Sequence, residues 1–334
     1  MDCQWLHHIL SIYLSLTIAM SKSFIFFLSY LKRFPFLVTI VDALLSIFYR
    51  FHGLSPCTVD LDDQTTMHYW TPTHRRFNKP SLVLVHGYGS TTKWQFYSQV
   101  GRLSRAFNLY LPELLFFGDS YTNRDDRTEV FQARCVCEGL KRLGVERFSL
   151  YAISYGGWVG YRMAEMYPEM VEKVVIVSSG VGLTEEQKEE HLSKVGVDVR
   201  DLFCPEKPEH LRSLMNLTMH KSKMAKWLPD FFLNEYIRVM CKKYRKERIE
   251  LVEYLIAKKA DSQLPILTQE TLLIWGDQDK VFPPYLAYQL QRHLGPKSKV
   301  EIIKGIGHAA NIEAADDLND LTESFVLSSP KFIS

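Results

Sequence analysis

This chain of 334 residues has few cysteines, no strong excess of either charge and no repeated or low-complexity segment. Its cysteines are widely scattered and lack the spacing of a metal site or a disulfide framework; they are Cys3, Cys57, Cys135, Cys137, Cys204 and Cys241. Such spacing indicates thiols in a reducing compartment. A formal net charge of +2 argues against nucleic-acid binding through bulk electrostatics.

What the chain does have is apolar sequence. Apolar residues make up 46% of it, which predicts a sizeable core and excludes disorder over most of its length. The length suits one large globular domain with an insertion.

The amino terminus differs most in composition. Residues 9–30 are apolar over roughly the length of a membrane-spanning helix, but Lys22 and several serines interrupt the run. Lys32 and Arg33 follow, and residues 34–50 then repeat apolar positions at helical spacing. For residues 1–55 we therefore consider a membrane anchor, an interfacial amphipathic helix and a helix packed on the main domain. We expect an intracellular protein, in the cytoplasm or at the endoplasmic reticulum, with membrane association through this segment.

From Cys57 onward, short apolar runs alternate with amphipathic stretches. Residues 57–71 resemble a hairpin of edge strands, and six buried strands are predicted within 81–87, 107–113, 147–154, 171–180, 271–277 and 299–305. Helical patterns lie near 92–105, 128–143, 155–167, 284–294 and 312–327. This alternation predicts an α/β fold, a mostly parallel central sheet with helices on both faces, built from residues 56–183 and 265–334.

Residues 184–264 interrupt this alternation with charged, helical sequence, which predicts a helical cap over the carboxyl edge of the sheet. From Lys221 to Lys259 there are eleven basic and five acidic residues, a pattern that suits a solvated surface or a site for lipid headgroups or an anionic substrate. The aromatic stretch Trp227 to Tyr236 suits either an acyl pocket or the packing of the cap.

A serine lies where a buried strand meets a glycine-containing helix, in "AISYG" around Ser154. This resembles the nucleophile elbow G-x-S-x-G, with Ala152 in place of the first glycine. The positions two before and two after the serine must be small, because strand and helix cross there. Ser154 is therefore a candidate nucleophile, although many strand-to-helix turns contain serine.

A nucleophilic serine needs a base and an acid that orients the base. His308, in "GIGHAANIE", follows the last predicted strand and is the candidate base. Asp277 and Asp279 follow the preceding strand, and we favour Asp279 because the chain must curl back before a carboxylate reaches the histidine. Asp277 is then a turn residue that accepts backbone N–H groups.

The third requirement is an anion site. Tyr88 lies in a flexible turn after the strand "LVLVHG", so its amide and that of Tyr155 would make a two-donor oxyanion hole. His86 is expected to brace this turn rather than to transfer protons.

Together "LVLVHGYG", "LPELLFFGDS", "YAISYGGWVG", "WGDQDKVFP" and "GIGHAANIE" resemble the α/β-hydrolase superfamily from about Cys57 to Phe325, in particular plant serine esterases and monoacylglycerol lipases. The resemblance implies a triad of Ser154, Asp279 and His308, the amides of Tyr88 and Tyr155 as oxyanion donors, and neither metal nor organic cofactor. Serine at the elbow argues against epoxide hydrolases and dehalogenases, which use aspartate there. Glu313, five residues after His308, departs from the HxxxxD acyltransferase motif.

We therefore expect a serine hydrolase that acts on carboxylic esters, with a lipid or acylglycerol-like substrate. The alternatives are a receptor-like protein that retains the triad but turns over little, and a membrane-associated acyltransferase. Its partners are expected to be a small-molecule or lipid ester and a membrane surface, with no nucleic acid and no protein partner.

Overall fold

The computed structural model describes residues 36–194, 198–259 and 264–329. Its centre is a twisted sheet with the strand order β1-β2-β4-β3-β6-β7-β8-β9, in which β5 pairs with β2. The strands are β1 Leu54–Asp60, β2 Thr65–Pro72, β3 Ser81–Val85, β4 Asn108–Pro112, β5 Tyr121–Thr122, β6 Phe148–Ile153, β7 Val171–Val177, β8 Glu270–Gly276 and β9 Ser298–Ile303. β1 and β2 form the predicted antiparallel hairpin, and the strands from β4 to β9 along the sheet are parallel. The predicted fold class is confirmed.

Helices cover both faces of this sheet. They are α1 Phe36–Phe51, α2 Thr92–Leu103, α3 Glu129–Arg142, α4 Tyr155–Met166, α11 Tyr285–Leu294, α12 Ala310–Glu313 and α13 Ala315–Leu327. Alternate side chains of each central strand join opposite cores: Val83 and Val85 pack with α3 and α4, whereas Leu82 and Leu84 pack with α1, α2 and α13. The central strands are apolar along their whole length because both of their faces are buried.

A helical insertion at 185–257 separates β7 from β8. Its helices are α5 Glu185–Lys194, α6 Val199–Phe203, α7 Pro208–Thr218, α8 Met224–Trp227, α9 Asp230–Tyr236 and α10 Arg245–Ala257, with a π-helical turn at Ile237–Cys241. Between β7 and β8 the described residues contain no strand. This insertion is the cap anticipated from the charged, helical sequence; the domain limits 184–264 stay a prediction.

The cap is joined to the core by a buried arginine. Arg248 of α10 donates from Nε to the carbonyl oxygen of Phe116 (2.8 Å) and from a terminal nitrogen to that of Met240 (2.7 Å). Its guanidinium also lies 4.6 Å from the centroid of the Phe117 ring. Because a buried guanidinium needs acceptors, the contacts with Phe116 and Phe117 fix α10 over the loop that follows β4, while the bond to Met240 lies within the cap.

The predicted helix near residues 34–50 corresponds to α1, which packs on the core. Val38 and Tyr49 are buried, and Asp42 accepts hydrogen bonds from the ammonium of Lys93 (2.6 Å) and the indole N–H of Trp94 (3.0 Å). The apolar run at residues 9–30 lies outside the described residues. Within 36–194, 198–259 and 264–329, no helix has the length and apolar character needed to cross a bilayer.

Candidate active site

Ser154 occupies a strained turn between β6 and α4. Its φ of 55° and ψ of −122° lie outside the regions that residues with a side chain ordinarily adopt, as expected of a nucleophile elbow. A Cβ at Gly156 would lie 2.4 Å from the carbonyl oxygen of His86, so only glycine fits against β3.

The methyl group of Ala152 faces Gly160, where a Cβ would lie 2.6 Å from it. The steric account drawn from the sequence, in which Ala152 opposes Gly156, is therefore incomplete. The two small residues lie against different elements: Gly156 lies against the end of β3, and Ala152 lies against a later turn of α4. Ala152 fits at the elbow because Gly160 has no side chain.

The three residues proposed as a triad lie together. His308 Nε2 is 2.9 Å from Ser154 Oγ, and His308 Nδ1 is 3.0 Å from Asp279 Oδ2. Asp279 and His308 are buried, so the two bonds are shielded from competing water. A hydroxyl, an imidazole and a carboxylate in this order can move a proton off the hydroxyl while the charge on the imidazole is stabilised.

Backbone amides hold the carboxylate of Asp279. Its Oδ1 accepts the N–H groups of Val281 and Phe282, each at 2.8 Å, which leaves Oδ2 directed at His308. Asp277 instead accepts the N–H of Gly305 at 2.6 Å, the turn role anticipated for it. Only one of the two aspartates therefore reaches the histidine.

The turn after β3 lies against the nucleophile. A Cβ at Gly87 would be 3.0 Å from Ser154 Cβ, so the backbone that leads into Tyr88 lies beside the serine. The Tyr155 amide is the first N–H of α4, where an N–H has no partner within the helix. The two amides proposed as oxyanion donors thus border the same serine.

A side chain that the motifs do not contain holds this turn. Gln95 accepts the N–H of Gly87 at Oε1 and donates from Nε2 to its carbonyl oxygen, both at 2.9 Å. Nothing in the local sequence distinguishes Gln95 from other polar residues of an amphipathic helix, so its role was not predictable from the sequence.

His86 braces the same region, as anticipated. Its Nδ1 lies 2.7 Å from the carbonyl oxygen of Gly87, and its Nε2 accepts the N–H of Leu114 at 2.9 Å. Burial lowers the pKa of His86 to about 4, so the ring is neutral and its Nδ1 is the donor. It therefore links the ends of β3 and β4 instead of exchanging protons with a substrate.

Glu113 is buried beside His86 and caps α2. Its carboxylate accepts the N–H of Thr92 at 3.2 Å and the hydroxyl of Thr92 at 2.5 Å. Burial raises the pKa of Glu113 to about 7, although the hydrogen bonds from Thr92 act in the opposite direction. A carboxyl group whose pKa lies near neutrality is thus buried behind the turn that follows β3.

Glu313 connects the histidine loop to the cap. Its Oε2 accepts the N–H groups of Gly307 (2.9 Å) and His220 (3.1 Å), and its Oε1 accepts that of Ser222 (2.7 Å). The sequence identified Glu313 only as a departure from an acyltransferase motif. In the fold it joins the residue before His308 to the chain between α7 and α8.

Two apolar cavities meet at Ser154. The first lobe, of about 170 Å³, lies under α5, α6 and α10. It is lined by Trp158, Leu183, Leu192, Leu202, Val252, Leu255, Ile256 and Phe282. The second lobe, of about 250 Å³, lies under α7, α8 and α9 beside His308. It is lined by Trp94, Leu211, Leu214, Met215, Met224, Leu228, Phe232 and Leu233.

The two lobes share Tyr88, Ser154, Phe203, Leu217 and Val281. Part of the aromatic stretch 227–236 therefore lines a cavity, through Phe232 and Tyr236, while Trp227 is exposed. A carbonyl group placed at Ser154 would have an apolar space on each side.

Across the described ranges there is no cluster of three histidine, cysteine, aspartate or glutamate side chains able to hold a metal ion.

Comparison with known proteins identifies the family. The family model described as "Alpha/beta hydrolase family" matches residues 82–321. Lipase 1 of Psychrobacter immobilis is 24% identical over 251 residues, 73% of this chain and 76% of that protein. The 2-hydroxy-6-oxononadienedioate/2-hydroxy-6-oxononatrienedioate hydrolase of a Pseudomonas species is 26% identical over 258 residues, 73% of this chain and 87% of that protein.

Among solved structures, a bacterial membrane phospholipase A shares the fold, with a TM-score of 0.74 and 21% identity over 94% of this chain and 96% of its own. These similarities support membership of the superfamily. They do not support the narrower resemblance to plant esterases and monoacylglycerol lipases, which stays a prediction.

Proposed function

The chain belongs to the α/β-hydrolase family, and from that premise we propose that this serine hydrolase cleaves carboxylic esters with apolar groups on both sides of the carbonyl. The observation that carries the proposal is the continuous hydrogen-bonded series from Ser154 through His308 to Asp279 at the junction of two apolar lobes. One lobe would hold the acyl group and the other the alcohol. A lipid or acylglycerol-like ester has this form.

The reaction follows from the site. His308 Nε2 takes the proton of Ser154 as Oγ bonds to the ester carbonyl carbon, and the amides of Tyr88 and Tyr155 hold the resulting oxyanion. When the bond to the alcohol oxygen breaks, His308 returns the proton to that oxygen and leaves an acyl-enzyme. Water then loses a proton to His308 as it attacks the acyl carbon, and His308 returns that proton to Ser154 Oγ when the bond between Oγ and the acyl carbon breaks, which releases the acid. Asp279 keeps Nδ1 protonated throughout.

The lining of the lobes favours an ester over an anionic dienoate of the kind named for the Pseudomonas relative. Among the described lining residues, lysines occur only in the first lobe, as Lys188, Lys258 and Lys259. Lys188 pairs with Glu185 and Lys258 with Glu129, so carboxylates of the protein balance two of these three charges. A dicarboxylate has two charges to compensate, and a carboxylate buried against the apolar lining without a cationic partner is costly.

A fluorophosphonate probe tests the chemistry. We expect it to label the protein but not Ser154→Ala, while Ser324→Ala, an exposed serine of α13, labels normally. Turnover of p-nitrophenyl esters of graded acyl length should be lost in Ser154→Ala and fall roughly 10⁴-fold in Asp279→Asn, because an asparagine favours the wrong imidazole tautomer. Probe labelling that persists in Ser154→Ala would contradict the proposal.

Labelling and turnover measurements also separate the alternative functions. Labelling without sustained turnover of any ester would favour a receptor-like protein. Acyl transfer to an added alcohol in excess of hydrolysis would favour an acyltransferase. Cleavage of a 2-hydroxy-6-oxo dienoate faster than any ester would favour carbon–carbon hydrolysis. Lipid-extract profiling with the native protein and Ser154→Ala would then identify the ester.

A further inference from the structure

An apolar stripe runs along the outer face of α1. It consists of Phe36, Ile40, Leu44, Ile47 and Phe51, which lie three or four residues apart and so share one face of the helix. Each is between 39% and 85% exposed. Single exposed apolar residues are ordinary, whereas a continuous stripe of five large ones marks a surface that contacts something apolar.

The orientation of α1 keeps this stripe outside. The opposite face buries Val38 and Tyr49, whose hydroxyl donates to the carbonyl oxygen of Thr92 at 2.9 Å. Asp42 on that face binds Lys93 and Trp94. Turning the stripe inward would break these contacts and bury the carboxylate of Asp42 against apolar side chains, so the helix presents the stripe to its surroundings.

We propose that the stripe docks on the surface of a lipid bilayer that contains anionic lipid. The helix has the composition of an interfacial helix: its only acidic side chain, Asp42, is engaged by the core, and Arg50 lies exposed at the edge of the stripe. Its guanidinium lies 6.0 Å from the centroid of the Trp70 ring, and a rotation of this exposed side chain can bring its charge to a headgroup phosphate while its stem stays among apolar side chains.

The chain that precedes α1 supports a bilayer as the occupant. It carries the apolar run at residues 9–30 and then Lys32 and Arg33, and α1 begins three residues after them. So short a connection keeps these two basic residues within reach of the first residue of the stripe. Basic residues at this point are attracted to anionic headgroups.

The position of α1 also connects the stripe with the second lobe. Val38 packs in one cluster with Leu211 and Leu233, both of which line that lobe, and Trp94 packs against the same cluster. One layer of side chains therefore separates the docked helix from the cavity. This arrangement favours a substrate that is dissolved in the membrane, an inference that rests on the proposed ester hydrolysis.

Vesicle flotation of the full-length protein tests the docking. The probes are vesicles of phosphatidylcholine alone and of phosphatidylcholine with phosphatidylserine. We expect the protein to float with the anionic vesicles, and the double variant Leu44→Glu/Ile47→Glu to reduce its partition at least about tenfold, because two apolar contacts become two charges. Phe77→Glu, at a residue that is 99% exposed between β2 and β3, is the matched control and should float like the native protein.

Activity separates this proposal from the proposed function. The double variant should hydrolyse a water-soluble p-nitrophenyl ester at the native rate but lose most of its turnover of an ester dissolved in vesicles. Stripe-dependent flotation without hydrolysis of either ester would overturn the ester function and leave the docking intact. Unchanged flotation of the double variant, or no flotation of the native protein, would overturn the docking.

Photocrosslinking identifies the occupant. A benzoylphenylalanine in place of Ile47, irradiated with the anionic vesicles present, should form adducts with lipid. Adducts with a peptide from residues 1–35, or with a second copy of the chain, would show that the stripe has a protein partner and would overturn the proposal.

Discussion

The substitution Glu313→Gln tests whether the histidine loop depends on its connection to the cap. The carboxylate accepts three backbone N–H groups, two at Oε2 and one at Oε1. A glutamine best keeps its carbonyl oxygen at the Oε2 position, toward Gly307 and His220, and then directs its NH₂ group at the N–H of Ser222. One hydrogen bond is thereby replaced by a contact between two donors, and the other two lose the contribution of the negative charge.

The magnitude follows from these contacts. A hydrogen bond to a charged group contributes about 1.5–3 kcal/mol and one between neutral groups about 0.5–1.5 kcal/mol. Losing one charged bond and weakening two others should lower the free energy of unfolding by roughly 3–5 kcal/mol. At about 2–4 °C per kcal/mol for a large domain, Tm should fall by roughly 6–20 °C. We also expect kcat to fall about ten- to hundredfold, because a displacement of His308 near 1 Å can cost about 10² in rate.

Thermal unfolding and p-nitrophenyl ester turnover, measured on the same preparations, provide the assay. Glu169→Gln, at an exposed position between α4 and β7, is the control for the loss of one negative charge and should leave both quantities unchanged. If Glu313→Gln melts and turns over like the native protein, the three hydrogen bonds do not hold the loop and the reasoning is wrong.

Three further predictions concern the core behind the site. Gly156→Ala places a methyl group 2.4 Å from the carbonyl oxygen of His86 and should lower the free energy of unfolding, measured in urea, by about 1–3 kcal/mol or more, as overpacking does; an unchanged urea midpoint would argue against the close approach. Because the pKa of Glu113 rises from 4.5 to about 7 on folding, this group makes the free energy of unfolding fall as pH increases from 4.5 to 7. Because the pKa of His86 falls from 6.5 to about 4, that group makes the free energy of unfolding rise as pH increases from 4 to 6.5. In Glu113→Gln the free energy of unfolding, measured as a function of pH, should therefore keep the rise due to His86 and lose the fall. A fall that persists up to pH 7 in this variant would implicate another group. Tyr88→Phe loses the 2.8 Å bond from its hydroxyl to the carbonyl oxygen of Arg248 in the cap and should cost about 0.5–1.5 kcal/mol in chemical denaturation, with a lower kcat; native values of both would show that the bond does not position the turn.

The strands and helices of the core were predictable because both faces of the sheet are covered. Double coverage makes each central strand a short, fully apolar run, and such runs alternate visibly with amphipathic helices. The positions of Ser154, Asp279 and His308 were predictable for a related reason. Parallel strands end at one edge of the sheet, so residues that follow three strands, far apart in the chain, are brought to one place.

The supporting side chains were not predictable. Gln95 and Glu313 act through hydrogen bonds to backbone groups that are near or far in the chain, and no periodicity or motif marks a polar residue of a helix for such a role. The account of the elbow was incomplete for a similar reason. The close approach at Gly156 comes from β3, a strand some seventy residues earlier in the chain.

What the sequence by itself determined is therefore the order of elements and the identity of three chemically able side chains, because local apolar patterns and turn residues report on burial along one stretch of chain. The tertiary structure alone decided that these side chains lie within hydrogen-bond distance, that two apolar lobes meet at Ser154 and that no other part of residues 36–194, 198–259 and 264–329 covers one face of α1. Each of these depends on the distance between segments far apart in the chain, and packing sets that distance.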